Sequence, residues 1–97
     1  MKPARVHPLA EAEADEAFEW YWARSKPAAL GFHAALRAAF STLRKSPRTA
    51  APYLHGTRRI LLRQYPFSVI YRELLSEIQI IAVAHAKRRP GYWDKRL

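Results

Sequence analysis

A chain of 97 residues has room for one domain and one core, and 49% hydrophobic residues exclude wholesale disorder. The absence of cysteine excludes a disulfide framework or a thiolate metal site, and no apolar run nears the roughly 18 residues of a membrane span. The net charge of +9 is uneven: residues 1–23 carry two basic and five acidic groups, residues 24–72 ten basic and no acidic ones, and residues 73–97 five basic and three acidic.

Ala4 to His7 reads as a short first strand ended by Pro8. A first helix is predicted from Pro8 or Leu9 to about Ser25, because proline suits a first turn whose N–H groups lack partners. Glu11, Glu13, Asp15 and Glu16 favour its positive end, and Arg24 its negative end. Ala10, Ala14, Ala17, Phe18 and Tyr21 recur at helical spacing and mark the buried face. Trp20 and Trp22 cannot both share that face, so at least one belongs at a rim or an interface.

A second helix is predicted from Pro27 to about Arg44, with Ala29, Phe32, Leu36, Ala39, Phe40 and Leu43 on its buried stripe. The short Ser-Lys-Pro junction makes the two helices a hairpin. His33 reads as a rim histidine, since no metal-binding partner stands at helical spacing. Ser46 to Gly56 reads as a loop.

The period then changes to two. Arg58–Tyr65, Phe67–Leu74 and Glu77–His85 are strand candidates, with turns at Tyr65-Pro66 and Leu75-Ser76, forming an antiparallel meander. The predicted fold is α+β: a short strand, a helical hairpin and a three-stranded meander, with the helices on one sheet face, in a single domain spanning residues 1–97. Two-residue loops would set Leu62 opposite Val69, and Tyr71 opposite both Ile60 and Ile80. The helix-facing side then holds Ile60, Leu62, Phe67, Val69, Tyr71, Ile78, Ile80, Ala82 and Ala84. The open side holds Arg59, Leu61, Arg63, Ser68, Ile70, Arg72, Gln79, Ile81, Val83 and His85, and a one-residue slip would bury the arginines.

Arg59, Arg63, Arg72 and His85 are thus expected to converge on an open face, extended by Arg88, Arg89 and Tyr92. Guanidinium groups bind phosphate or carboxylate, and aromatic rings stack on bases. Leu61, Ile70, Ile81 and Val83 among these charges call for a cover, and an acidic partner segment fits. No Gly-rich phosphate loop or clustered acids for a metal site appear, so no cofactor and no metal are expected. A metal-free ribonuclease remains open, with His85 or Tyr92 moving protons and Arg59, Arg63 or Arg72 stabilising the phosphate. A basic nucleic-acid-binding α+β domain is the plainer alternative. Trp93 reads as a structural anchor.

The element order, with FSVIYRELLSEIQIIAVAHAKRRPGYW from Phe67 to Trp93, resembles the RelE/ParE superfamily of type II toxins. The resemblance implies a bacterial, cytoplasmic toxin in a hetero-oligomer with a cognate antitoxin that wraps and neutralises it. ParE-like members poison DNA gyrase; RelE-like members cleave messenger RNA on the ribosome. The RRPGYW ending and the long hairpin resemble the ParE branch, and no lysine lies between Lys45 and Lys87, where RelE-like enzymes carry catalytic ones. The resemblance therefore implies a gyrase inhibitor acting by protein contact, with the ribosome-dependent endonuclease as the alternative.

Overall fold

The computed structural model describes residues 1–97. Strand β1 (Ala4–Val6) leads into helix α1 (Pro8–Trp22) and helix α2 (Lys26–Lys45), followed by β2 (Ala51–Pro52), β3 (Arg58–Leu61), β4 (Phe67–Glu73) and β5 (Ile78–His85). These strands form one sheet in the order β1-β5-β4-β3-β2, with β1 parallel to β5 and every other pair antiparallel. The predicted order of strand, hairpin and meander is observed, with β2 as an added edge inside the segment expected to be a loop. No helix is long and apolar enough to cross a membrane.

Local chemistry explains the hairpin. His7 Nδ1 accepts the Leu9 N–H at 3.0 Å, with Pro8 at the first helical position of α1. Ser25 Oγ accepts the Ala28 N–H at 3.2 Å and starts α2, so α1 stops at Trp22 rather than Ser25. Ala10 and Ala17 of α1 and Phe32, Leu36, Ala39 and Leu43 of α2 pack with Val69, Tyr71, Ile78 and Ile80 in the main core. Within it, Tyr65 lies across α2: its hydroxyl donates to Ala28 O at 2.7 Å and occupies the space a Cβ at Gly31 would fill.

Two registers differ from expectation. Strand β3 stops at Leu61 and pairs Ile60 with Val69 and Arg58 with Tyr71, two residues out of the predicted register. The connection therefore spans residues 62–66, where Gln64 adopts the left-handed conformation at φ 67°. A two-residue shift preserves side-chain parity, so each β3 residue keeps its predicted face. Between β4 and β5 the pairing runs Tyr71 with Ile80 and then Ile70 with Ala82, leaving Ile81 as the extra residue of a β-bulge. This does change parity. Ile81 stays on the face predicted for it, while beyond the bulge Val83 joins the helix-side core and Ala82 and Ala84 turn to the opposite face with Ile70 and Ile81.

That opposite face is covered by the chain itself. After His85 the tail turns through Gly91, whose φ of 78° favours glycine, and lays Trp93 onto Ile70, Ile81, Ala82 and Ala84. Trp93 is 1% exposed, flanked by Tyr53 and His55 at ring separations of 6.2 and 6.0 Å. The prediction that Ile70 and Ile81 needed a cover was sound, but the cover is Trp93 rather than a partner. Val83 needed none, because it faces the helices.

Candidate functional site

The bulge divides the predicted constellation. Arg59 pairs across the sheet with Ile70, Leu61 with Ser68, and Arg72 with Gln79, so these lie on the tail-covered face. Arg59 is exposed, with its guanidinium 4.2 Å from the Tyr53 ring centre. Arg72 is half-buried and its Nε donates to Gln79 Oε1 at 2.8 Å. Leu61 ends β3 at 67% exposure, and Arg63 lies exposed in the following loop. His85 does not join them. It pairs with Phe67 and packs edge-on against that ring at 4.9 Å, on the helix side of the sheet. The predicted meeting of three arginines with His85 on one face is therefore corrected, and the cause is the single extra residue at Ile81.

His85 instead lines a cleft of about 430 Å³ between α1 and the end of β5. Trp20, Tyr21 and Phe67 supply its aromatic surface, and Lys87, Arg88 and Tyr92 its tail side. His85 Nδ1 accepts the Lys87 N–H at 3.0 Å. Arg88 lies 3.8 Å over the Tyr92 ring, while Arg89 is exposed beyond it. Trp20 is 53% exposed, with the Arg24 guanidinium 3.8 Å from its ring centre. Trp22 is also exposed and stacks on Phe18 at 5.7 Å. Both tryptophans thus lie outside the core.

At the back of the cleft sits a network that sequence reasoning missed. Glu13 Oε1 accepts the Val83 N–H at 3.1 Å and Arg96 Nη1 at 2.9 Å; Oε2 accepts the Tyr92 hydroxyl at 2.6 Å and Arg96 Nη2 at 3.0 Å. Arg96 Nη1 also donates to Ile81 O at 3.1 Å. Strand β1 pairs with β5 only as far as Ile80, so the edge of β5 beyond it has no neighbouring strand. The Glu13–Arg96 pair takes that place, satisfying a β5 donor and acceptor as a further strand would. It also fixes the tail to α1. Burial, the hydrogen bond to Glu13 and the nearby carboxylate charge push the Tyr92 phenol well above the ordinary tyrosine range. The hydrogen bond to Glu13 raises Arg96 against the opposing effect of burial. One signal was available: Glu13 stands three residues after Ala10 and four before Ala17, beside the buried stripe, and not on the outer face with Glu11 and Asp15.

The remaining acids on the sheet are paired as well. Glu73 takes Lys2 at 2.9 Å and Arg48 at 3.0 Å, hydrogen bonds that hold its carboxyl below the usual range. Glu77 lies 3.6 Å from Arg5. The helix α2 cations Arg37, Arg44 and Lys45 have no acidic partner, and neither do His85, Lys87, Arg88 and Arg89. No group of three or more His, Asp or Glu residues is gathered where it could hold a metal ion.

None of the curated proteins matches the chain. Among solved structures, one described as "Chromosomal ParDE TA system from P. aeruginosa" is similar in fold, with a TM-score of 0.75 and 24% identity over 88% of this chain and 96% of that one. The family model for the ParE toxin of the type II toxin–antitoxin system parDE matches residues 4–90, which take in the sheet, the helical hairpin and the start of the tail. The chain belongs to the ParE toxin family of type II toxin–antitoxin systems.

Proposed function

We propose that this protein inhibits DNA gyrase by protein–protein contact, and that a cognate antitoxin carrying an acidic amphipathic segment neutralises it. The observation that carries the reading against a nuclease is the separation of the candidate catalytic groups. Cleaving a phosphodiester without metal requires proton-transfer and phosphate-stabilising groups within reach of one phosphate. Arg59 and Arg72 lie on the tail-covered sheet face, whereas His85 lies on the helix side. The Tyr92 hydroxyl is committed to Glu13, and its raised pKa keeps the phenol protonated and makes it a poor proton donor. What these groups offer is contact surface.

The free end of β3 suits the antitoxin. Strand β2 pairs only with Arg58 and Arg59, so the edge at Ile60 and Leu61 has no strand beyond it. Exposed Leu61 stands there between Arg59 and Arg63, an arrangement suited to an extended segment that alternates apolar and acidic residues. The reading implies a cytoplasmic toxin–antitoxin hetero-oligomer whose assembly weakens as salt rises. Gyrase supercoiling and cleavage-complex formation, run beside translation-coupled messenger RNA cutting on one preparation, test the target. Gyrase inhibition without RNA cutting supports the proposal, and RNA cutting without gyrase inhibition overturns it.

A further inference from the structure

The cleft between α1 and the end of β5 differs in kind from the β3 edge. An edge offers backbone groups to an extended chain, whereas this cleft has fixed side-chain walls and a volume of about 430 Å³, within the ordinary range of binding cavities. Its back wall is held by the Glu13 bonds to Val83 and Tyr92, so the site is formed before anything enters. We infer that this cleft is the surface that grips the target, and that its occupant is a protein segment placing one large apolar anchor beside an acidic side chain. The inference rests on the gyrase reading above and names the contact that reading requires.

Three observations define the occupant. Trp20 is 53% exposed at the cleft wall and, with Phe67 also lining the cleft, offers an apolar seat. Tryptophan, tyrosine and arginine are the residues on which interface energy concentrates, and Trp20, Tyr92 and Arg88 all line this one cavity. Next, His85, Lys87 and Arg88 take part in none of the ion pairs of the fold, so the tail side presents unneutralised donors. Because His85 Nδ1 already accepts the Lys87 amide, the neutral ring carries its proton on Nε2 and acts as a donor there. Finally, Glu16 lines the other wall, exposed and without an ion-pair partner. A carboxylate in that place repels a phosphate backbone but accepts a peptide N–H, which favours a protein occupant over nucleic acid.

The test uses the full chain and gyrase supercoiling, read as the concentration for half inhibition, with direct gyrase binding measured in parallel. Trp20→Ala and the double variant Lys87→Glu/Arg88→Glu are compared with Arg37→Glu/Arg44→Glu, which makes the same charge change on α2. Far-UV circular dichroism and Tm follow the fold. All five residues are exposed, so the charge-reversal arm remains informative if Trp20→Ala lowers Tm. The expected result is a loss of about tenfold or more in potency and binding for both cleft variants, the scale of a hot-spot contact. The α2 variant stays within about threefold of the parent, as loss of steering alone allows. Parent-like potency in both cleft variants overturns the inference, as does an equal loss in the α2 variant, which would mean charge without a site. Full potency in cleft variants that bind RNA less tightly also overturns it, by assigning the cleft to nucleic acid. A parent chain that leaves gyrase untouched is a separate result, which removes the gyrase reading and this inference together.

Discussion

Replacing Glu13 with alanine tests the network that joins α1, β5 and the tail. Four hydrogen bonds end on this carboxylate, three of them from Arg96 and Tyr92 on the tail. The side chains of Glu13 and Arg96 are 16% and 12% exposed, so removing the acid leaves a largely buried guanidinium with only Ile81 O as a hydrogen-bond partner. Breaking a buried pair from one side costs about 3–5 kcal/mol; the residual exposure here places Glu13→Ala near about 3 kcal/mol. For a domain this size that corresponds to a fall in Tm of roughly 12–24 °C. Arg96→Met should cost less, about 2 kcal/mol, because Glu13 keeps the Val83 amide and the Tyr92 hydroxyl. With both changes the orphaned charge is gone, so the double variant should cost about 3 kcal/mol and show a coupling of about 2 kcal/mol. Urea unfolding of the four proteins measures each corner of the cycle. Additive costs, or a Glu13→Ala cost below about 1 kcal/mol, would refute the clamp.

Stability should fall at alkaline pH through Tyr92. Its folded pKa is raised, so its contribution is complete below the unfolded value of about 10 and is lost as pH rises toward the folded one. Burial raises Tyr21 and Tyr71 as well, so at about pH 11 the folded parent should show less phenolate absorbance than the unfolded chain, and Tyr92→Phe should flatten part of the alkaline limb of the stability curve. Trp93→Ala should cost about 3–5 kcal/mol by opening the cover over Ile70 and Ile81, and dye binding to exposed apolar surface reports it. Gly31→Ala should destabilise by about 1 kcal/mol or more despite its better helix propensity, because the new methyl displaces the Tyr65 hydroxyl from Ala28; thermal unfolding decides the sign. Gln64→Gly should raise stability by about 1 kcal/mol in the same assay, since glycine adopts φ 67° without strain.

The helical hairpin was legible because Ala10, Ala17 and Tyr21, and Phe32, Leu36, Ala39 and Leu43, repeat at a period only a helix uses. The order of the meander was legible for the same reason at period two. The bulge was not. Ile80 to Ala84 is apolar at every position because both faces of β5 are buried, so no alternation records where parity changes. The β3 slip left no trace either, since two residues restore the same faces. Logic about exposed aliphatics found a real need for cover at Ile70 and Ile81 but gave it to a partner, because nothing local to Trp93 states where a tail folds back. The pairing of Glu13 with Arg96 spans 83 positions in the chain, a contact that only the fold creates. Removing the tail after Arg89 is consequently no clean test of function, since it takes away Trp93 and Arg96 along with any contact surface.

The central claim is contact-based inhibition of gyrase. Its most direct measurement is the supercoiling activity of purified gyrase titrated with the full chain, with translated messenger RNA probed for breaks in a parallel sample. The expected result is dose-dependent inhibition, relieved by an acidic antitoxin, with the RNA intact. Cleaved RNA beside fully active gyrase would contradict it.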